Sequence, residues 1–126
     1  MRQGIVTILN ETTQSVAQLN KMQRIRHILE HLLGLIGHPQ PLLGGGLWID
    51  YCGAIHTGFL RYNIDVVYLD QRGHIVKLVP QLRPWRVSAC WPAVHTLELA
   101  AGSIEHFALQ RGQRVQWQTR NDSPNT

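Results

Sequence analysis

The sequence predicts an α+β, mostly β fold. It reads as a single compact domain in which a bent, barrel-like, antiparallel-rich sheet is flanked by one amphipathic helix near the N-terminus and a short helical turn near the C-terminus. Three observations point there. Short runs rich in β-branched and aromatic residues, bounded by Gly, Asp or Pro, recur from Leu47 onward. One segment alone, Lys21 to Ile36, repeats apolar residues at three- and four-residue steps. And 126 residues, 44% hydrophobic and 16% charged, suffice for one core and lie far from a disordered composition.

Taken in order, residues 3–9 and 15–19 read as two strands around the polar Asn10-Glu11-Thr12-Thr13 turn. In the predicted helix the stripe is Met22, Ile25, Leu29, Leu32 and Ile36, with Gly34 and Gly37 at its close and Pro39 and Pro41 preventing continuation. Gly44-Gly45-Gly46 is a turn. Leu47 to Tyr51, Ile64 to Leu69 and Ile75 to Val79 are strands, the last two joined as a hairpin through Asp70-Gln71-Arg72-Gly73, where Gly73 takes the left-handed conformation. Residues 94–99 form another strand, Ser103 caps a helical turn from Ile104 to Leu109 through its hydroxyl, and Val115 and Trp117 mark a final strand. Residues 1–120 make one domain and 121–126 a flexible tail.

Twelve Lys and Arg against eight Asp and Glu give a net charge of +4 and a pI near 9.6. The cations are mostly arginines, whose planar forks suit carboxylates and phosphates, yet no run of five or more occurs, so a solvated basic surface accounts for them. A weak, non-specific nucleic-acid contact through the arginines at 83, 86, 111, 114 and 120 is the most that this charge supports, and no specific nucleic-acid partner is expected. No stretch approaches the roughly 20 apolar residues of a membrane span, and the N-terminus lacks the apolar core of a secretory signal. The expectation is a cytoplasmic, soluble monomer or weak dimer with no membrane partner, no cofactor and no metal.

Four patterns invite chemistry. His27, Glu30 and His31 fit an inverted zinc-protease motif, but at 100° per residue both histidines point away from the apolar stripe, so a solvated helix face explains them better. Cys52 and His56 could pair as an activated nucleophile, although no third orienting group can be assigned, and a buried cysteine with a structural histidine is the plainer reading. Asp65 lies on a strand with two apolar faces, where an unpaired carboxylate is costly, and His56, Thr57 or Arg61 could supply its partner. Arg83-Pro84-Trp85-Arg86 sets an aromatic between two guanidinium groups, suited to stacking or gripping an anion, or simply to closing the core edge. The ligand-binding candidates are therefore His56, Thr57, Asp65, Trp85 and Arg86.

Read as an ordered series, HLLGLIGH (31–38), LWIDYCGAIHT (47–57), IDVVYLDQRGHIV (64–76), LRPWR (82–86), LELAAG (97–102) and LQRGQRV (109–115) resemble the bacterial and archaeal family called domain of unknown function 192. By position the resemblance places Cys52, His56, Thr57, Asp65, Asp70, Gly73, Pro84, Trp85, Glu98 and Gly102 on its signature. The chain departs from it at His31 and His38, where arginine is usual, near Leu60, where methionine is, at Ala100 in place of proline, and at Gln113 in place of aspartate. The resemblance implies a barrel-like α+β domain without an established reaction, some members being exported or encoded beside secretion or pilus genes. The function expected is a non-enzymatic binding or accessory module for a small anion or peptide, possible in a secretion or pilus setting. The alternative is a thiol- or hydrolase-like enzyme using Cys52 and His56.

Overall fold

The computed structural model describes residues 2–26, 40–58 and 60–120. Nine strands follow one another as β1 (Arg2–Leu9), β2 (Ser15–Ile25), β3 (Gly45–Ile49), β4 (Ala54–His56), β5 (Ile64–Leu69), β6 (Ile75–Leu82), β7 (Val87–Ala89), β8 (His95–Ala100) and β9 (Arg114–Thr119), with one short helix, α1 (Ser103–His106), before the last. Seven of them make one sheet in the order β6-β5-β8-β3-β2-β1-β9, and β4 and β7 make a separate two-stranded ribbon. Neighbours run antiparallel except β2 and β3, which are parallel.

The large sheet curls into a half-barrel. Its two ends meet over a short span, where Val115 N–H donates to the Gly73 carbonyl and Ile75 N–H to the Gln113 carbonyl. Alternation along each strand therefore sorts side chains into an inner and an outer set. The inner face holds Val6, Ile8, Leu19, Met22, Trp48, Val67, Leu69, Leu97, Leu99 and Val115, closed at one end by Leu109 and by Ile104 and Phe107 around α1. The outer face holds Ile25, Ile49, Ile64, Val66 and Tyr68, covered in part by Ile55 of the ribbon and by Leu60. Both cores share the same strands, which is why β5 is buried at every position and reads as an apolar run broken only by Asp65.

The mostly β, barrel-like expectation holds, and so do the hairpin signals: β1 pairs with β2 across the Asn10 turn, and β5 with β6 across Gly73 at φ 84°. Two expectations are corrected. The predicted N-terminal amphipathic helix is not seen: Lys21 to Ile25 belong to β2, and the rest of that stretch, with His27, Glu30 and His31, lies outside the described residues. Met22 and Ile25 are buried on opposite faces of a strand that is covered on both sides, so their three-residue spacing mimics a helical stripe. Nor does Ser103 cap α1, because its hydroxyl donates to the Ala100 carbonyl at 2.6 Å. The acceptor for the helix start comes from Asp65, 39 residues earlier, whose Oδ2 receives the Ile104 N–H at 2.8 Å.

Candidate functional site

The register across four strands builds a cleft on the outer face. Gln23 pairs with Leu47, Leu47 with Glu98 and Glu98 with Val66, so one row carries a polar and an acidic side chain on either side of a leucine. One step along, Lys21 lies beside Gly45, and Ile64 beside Ala100. Above this floor stand Leu60 and Tyr62 from the loop before β5, and Gln40, Pro41 and Leu42 from the segment before β3. The space enclosed is about 440 Å³, with mostly apolar walls. A cleft of this size, apolar with a few convergent polar groups, is the usual form of a small-molecule site.

The electrostatics of the cleft are those of an acceptor. Glu98 is buried, 5% exposed, and burial together with the Glu98 charge pushes the Tyr62 phenol above its ordinary range. Gln23 Oε1 is buried without a hydrogen-bond partner. Gly46 lets β3 and β8 approach closely here, since a Cβ on it would collide with the Glu98 carbonyl.

The residues singled out from the sequence fall into separate settings. Thr57 is fully buried and fastens the Arg83–Arg86 loop: its Oγ1 donates to the Arg83 carbonyl (2.6 Å) and accepts the Arg86 N–H (2.8 Å), and its own N–H donates to the Arg86 carbonyl (2.8 Å). His56 is on this corner too, with Nδ1 accepting the Gly58 N–H at 3.3 Å, and a Cβ built on Gly58 would lie 3.4 Å from the Trp85 ring. His56, Thr57, Trp85 and Arg86 are thus brought together. Asp65 takes both its acceptors' worth of donors from elsewhere, the Gln81 N–H (2.9 Å) and the Ile104 N–H, so backbone amides rather than His56, Thr57 or Arg61 satisfy it. The Cys52 thiol donates to the Ala54 carbonyl at 2.9 Å, and no hydrogen bond joins it to His56 among the described residues.

A further polar cluster, on the inner face, had no signal in any local motif. Arg24 grips Asp50 with two bonds, Nε to Oδ2 (2.9 Å) and Nη2 to Oδ1 (2.8 Å), while Trp48 Nε1 donates to Asp50 Oδ1 at 3.1 Å and His95 Nδ1 stands 3.2 Å from the same oxygen. The Arg24 guanidinium also lies over the rings of Trp48 (4.8 Å) and Trp117 (5.6 Å). Burial opposes the Asp50 charge, but Arg24, Trp48 and His95 outweigh it and hold the carboxyl below its usual range. The Tyr51 N–H donates to His95 Nδ1 at 3.4 Å, so this nitrogen accepts in the neutral ring and pairs with the carboxylate only when it is protonated.

Comparison with known proteins now bears on this geometry. The model of the family described as an uncharacterised conserved group, domain of unknown function 192, matches residues 8–117. The chain belongs to this family. A curated relative, the UPF0127 protein of Pyrococcus furiosus, is 34% identical over 65 residues, a stretch that spans 51% of this chain and only 55% of that relative. Two solved structures share the fold: a Sinorhizobium meliloti protein provisionally described as a transcription regulator (TM-score 0.79, 16% identity, covering 91% of this chain and 93% of that one), and a Novosphingobium aromaticivorans protein of unknown function (TM-score 0.75, 13% identity, covering 90% and 84%).

Placed in this member of the family, the signature residues divide by role. Thr57, Asp65 and Gly73 hold loops and turns, whereas Glu98 faces the cleft. Two of the departures can be read physically. Leu60 walls the cleft itself. Gln113 supplies a side-chain acceptor at its turn, since its Oε1 receives the Gln110 N–H at 2.9 Å. Lys21, Gln23, Tyr62 and Glu98 were missed as site residues, and the one available signal was Glu98 itself, a carboxylate at a core position of the alternating strand HTLELA.

Proposed function

We propose that this domain is a non-enzymatic binding module that takes a small amphipathic amine, or the amino end of a short peptide, into the cleft on the outer face of the half-barrel. The observation that carries this reading is the buried Glu98 carboxylate on the floor of a cleft of about 440 Å³ with apolar walls. A carboxylate has several acceptor sites, so it can serve a ligand N–H alongside its other contacts. The buried Gln23 Oε1 offers a second acceptor, and Leu42, Leu47, Leu60 and Ile64 offer apolar contact. Lys21 at the rim suits the carboxylate of a zwitterion. Of the two ligand classes expected from sequence, peptide therefore fits this cleft better than anion, which Glu98 would repel.

The test uses hexylamine, leucinamide and hexanoate as calorimetric probes with the whole chain. Saturable binding of the two amines is expected, with hexanoate inert, and Glu98→Gln should weaken amine affinity about tenfold, equivalent to ~1.4 kcal/mol. Preference for hexanoate, or unchanged amine affinity in a folded Glu98→Gln protein, would overturn the reading.

A further inference from the structure

The β4–β7 ribbon has two unlike sides. Its register, Ala54 with Ala89, Ile55 with Ser88 and His56 with Val87, turns Ile55 and Ser88 inward, where Ile55 joins the outer core and the Tyr68 hydroxyl donates to Ser88 Oγ at 2.8 Å. Ala54, His56, Val87 and Ala89 face solvent. Val87 is 79% exposed, and large aromatics stand at either end of β7, Trp85 at 67% and Trp91 at 95%. Both indoles lie just outside the three residues of β7, one before it and one after it. Apolar exposure concentrated on one small element, rather than scattered, marks a contact surface.

The sequence that forms and flanks it is basic. Residues 71–97 contain no Asp or Glu, and neither do residues 51–64, while the same stretches carry Arg61, Arg72, Lys77, Arg83 and Arg86. Lys77 is tied to the ribbon edge, its Nζ donating to the Ala89 carbonyl at 2.9 Å, and Arg83 and Arg86 flank Trp85 in the loop fastened by Thr57. Neither the cleft on the outer face nor the one beside Gln3 and Asn20 is lined by residues of the ribbon, whose indoles stand exposed.

From this we infer that the β4–β7 ribbon docks the domain onto an anionic lipid surface. The chemistry matches in each part. An indole has an apolar body and a polar N–H, the combination that settles at the headgroup level of a bilayer. Arginine forks pair with lipid phosphates, and basic side chains beside exposed indoles are drawn to an anionic leaflet. An acidic protein could answer the charge as well, but two exposed indoles with an exposed valine between them match the interfacial layer of a bilayer, where such rings settle beside arginines. The sequence expectation of no membrane partner concerned spanning segments, and among the described residues no helix is long and apolar enough to cross a bilayer. Surface docking requires none. The inference stands apart from the ligand cleft.

The experiment is co-sedimentation of the full chain with vesicles of phosphatidylcholine alone and with about one third phosphatidylglycerol, alongside tryptophan emission. Binding to the anionic vesicles only, a blue shift on binding, and weakening at high salt are expected. Trp91→Ala and Val87→Gln, at exposed positions that leave the melting temperature unchanged, should each lower the partition coefficient about five- to tenfold. Absence of binding to anionic vesicles, or full binding by both variants, would overturn the inference. So would concentration-dependent self-association that Trp91→Ala abolishes, since it would make a second copy the occupant of the ribbon.

Discussion

On the inner face of the half-barrel, Asp50 and Asp65 are each met by donors from two elements: Arg24 and Trp48 around one, the Gln81 and Ile104 amides around the other. On the outer face Glu98, on β8 between β5 and β3, has contacts of its own and also borders a cavity. The difference teaches how one sheet separates structure from ligand chemistry. The inner face is closed by curling, so every carboxylate there must be satisfied by the fold, because a buried unpaired charge costs more than a domain of marginal stability can bear. Among the described residues the outer face is covered by the ribbon and Leu60, and the row Gln23-Leu47-Glu98 lines the cleft.

The sharpest way to break this contrast is at Arg24. Removing it in Arg24→Ala leaves the Asp50 carboxylate, itself only 6% exposed, without its bidentate partner, and stability should fall by ~3 kcal/mol in urea unfolding. Adding Asp50→Asn should restore part of that loss, because the stranded charge is gone. A loss under ~1 kcal/mol for Arg24→Ala would mean that the inner cluster is solvated and not closed.

Next in size is Asp65→Asn. The amide keeps one acceptor, so one of the two backbone N–H groups now faces an NH₂ donor, and a drop of ~1–3 kcal/mol is expected. Thermal melts of both proteins check it. An Asn variant as stable as the parent would shift Asp65 from a structural clamp towards a ligand role.

Much of the strand order of events was legible in the sequence because it is local. Gly73 announced its hairpin, and the doubly apolar Ile64–Leu69 run announced a strand buried on both sides. Asp65 could be recognised as a carboxylate in need of partners, but not the partners, since Gln81 and Ile104 come 16 and 39 residues later. The helix expectation failed at Lys21–Ile25 because β2 buries one apolar side chain on each face here, and Met22 and Ile25, one inside and one outside, imitate a three-residue period. β4 and β7, three residues each, are too short to show a period at all. The cleft depends on Gln23, Leu47, Glu98 and Val66 sharing one row, a fact of register among strands distant in sequence. The same holds for Asp50 and His95.

That pair gives the smallest expected effect and a direct probe of how closed the inner face is. Burial holds His95 below its ordinary value of 6.5, the nearby Asp50 charge pulling it up and Arg24 pushing it down again. A histidine whose folded value is depressed favours the neutral form, so its contribution is complete above the unfolded value and shrinks as pH falls from there towards the lower folded value, because the unfolded chain binds the proton first. Asp50, also depressed, acts in the same direction but only below its own ordinary value of 3.8, so the two windows are separate. The expected outcome is a shallow loss of stability between about pH 7 and about pH 5 in the parent, reduced in His95→Gln, whose amide stays neutral. Subtracting the two profiles removes the other histidines, which titrate in both proteins. If the difference instead showed the parent gaining stability over the variant as the pH drops, a protonated His95 would be held by Asp50 more strongly than burial resists it, and the inner end of the half-barrel would be open to water.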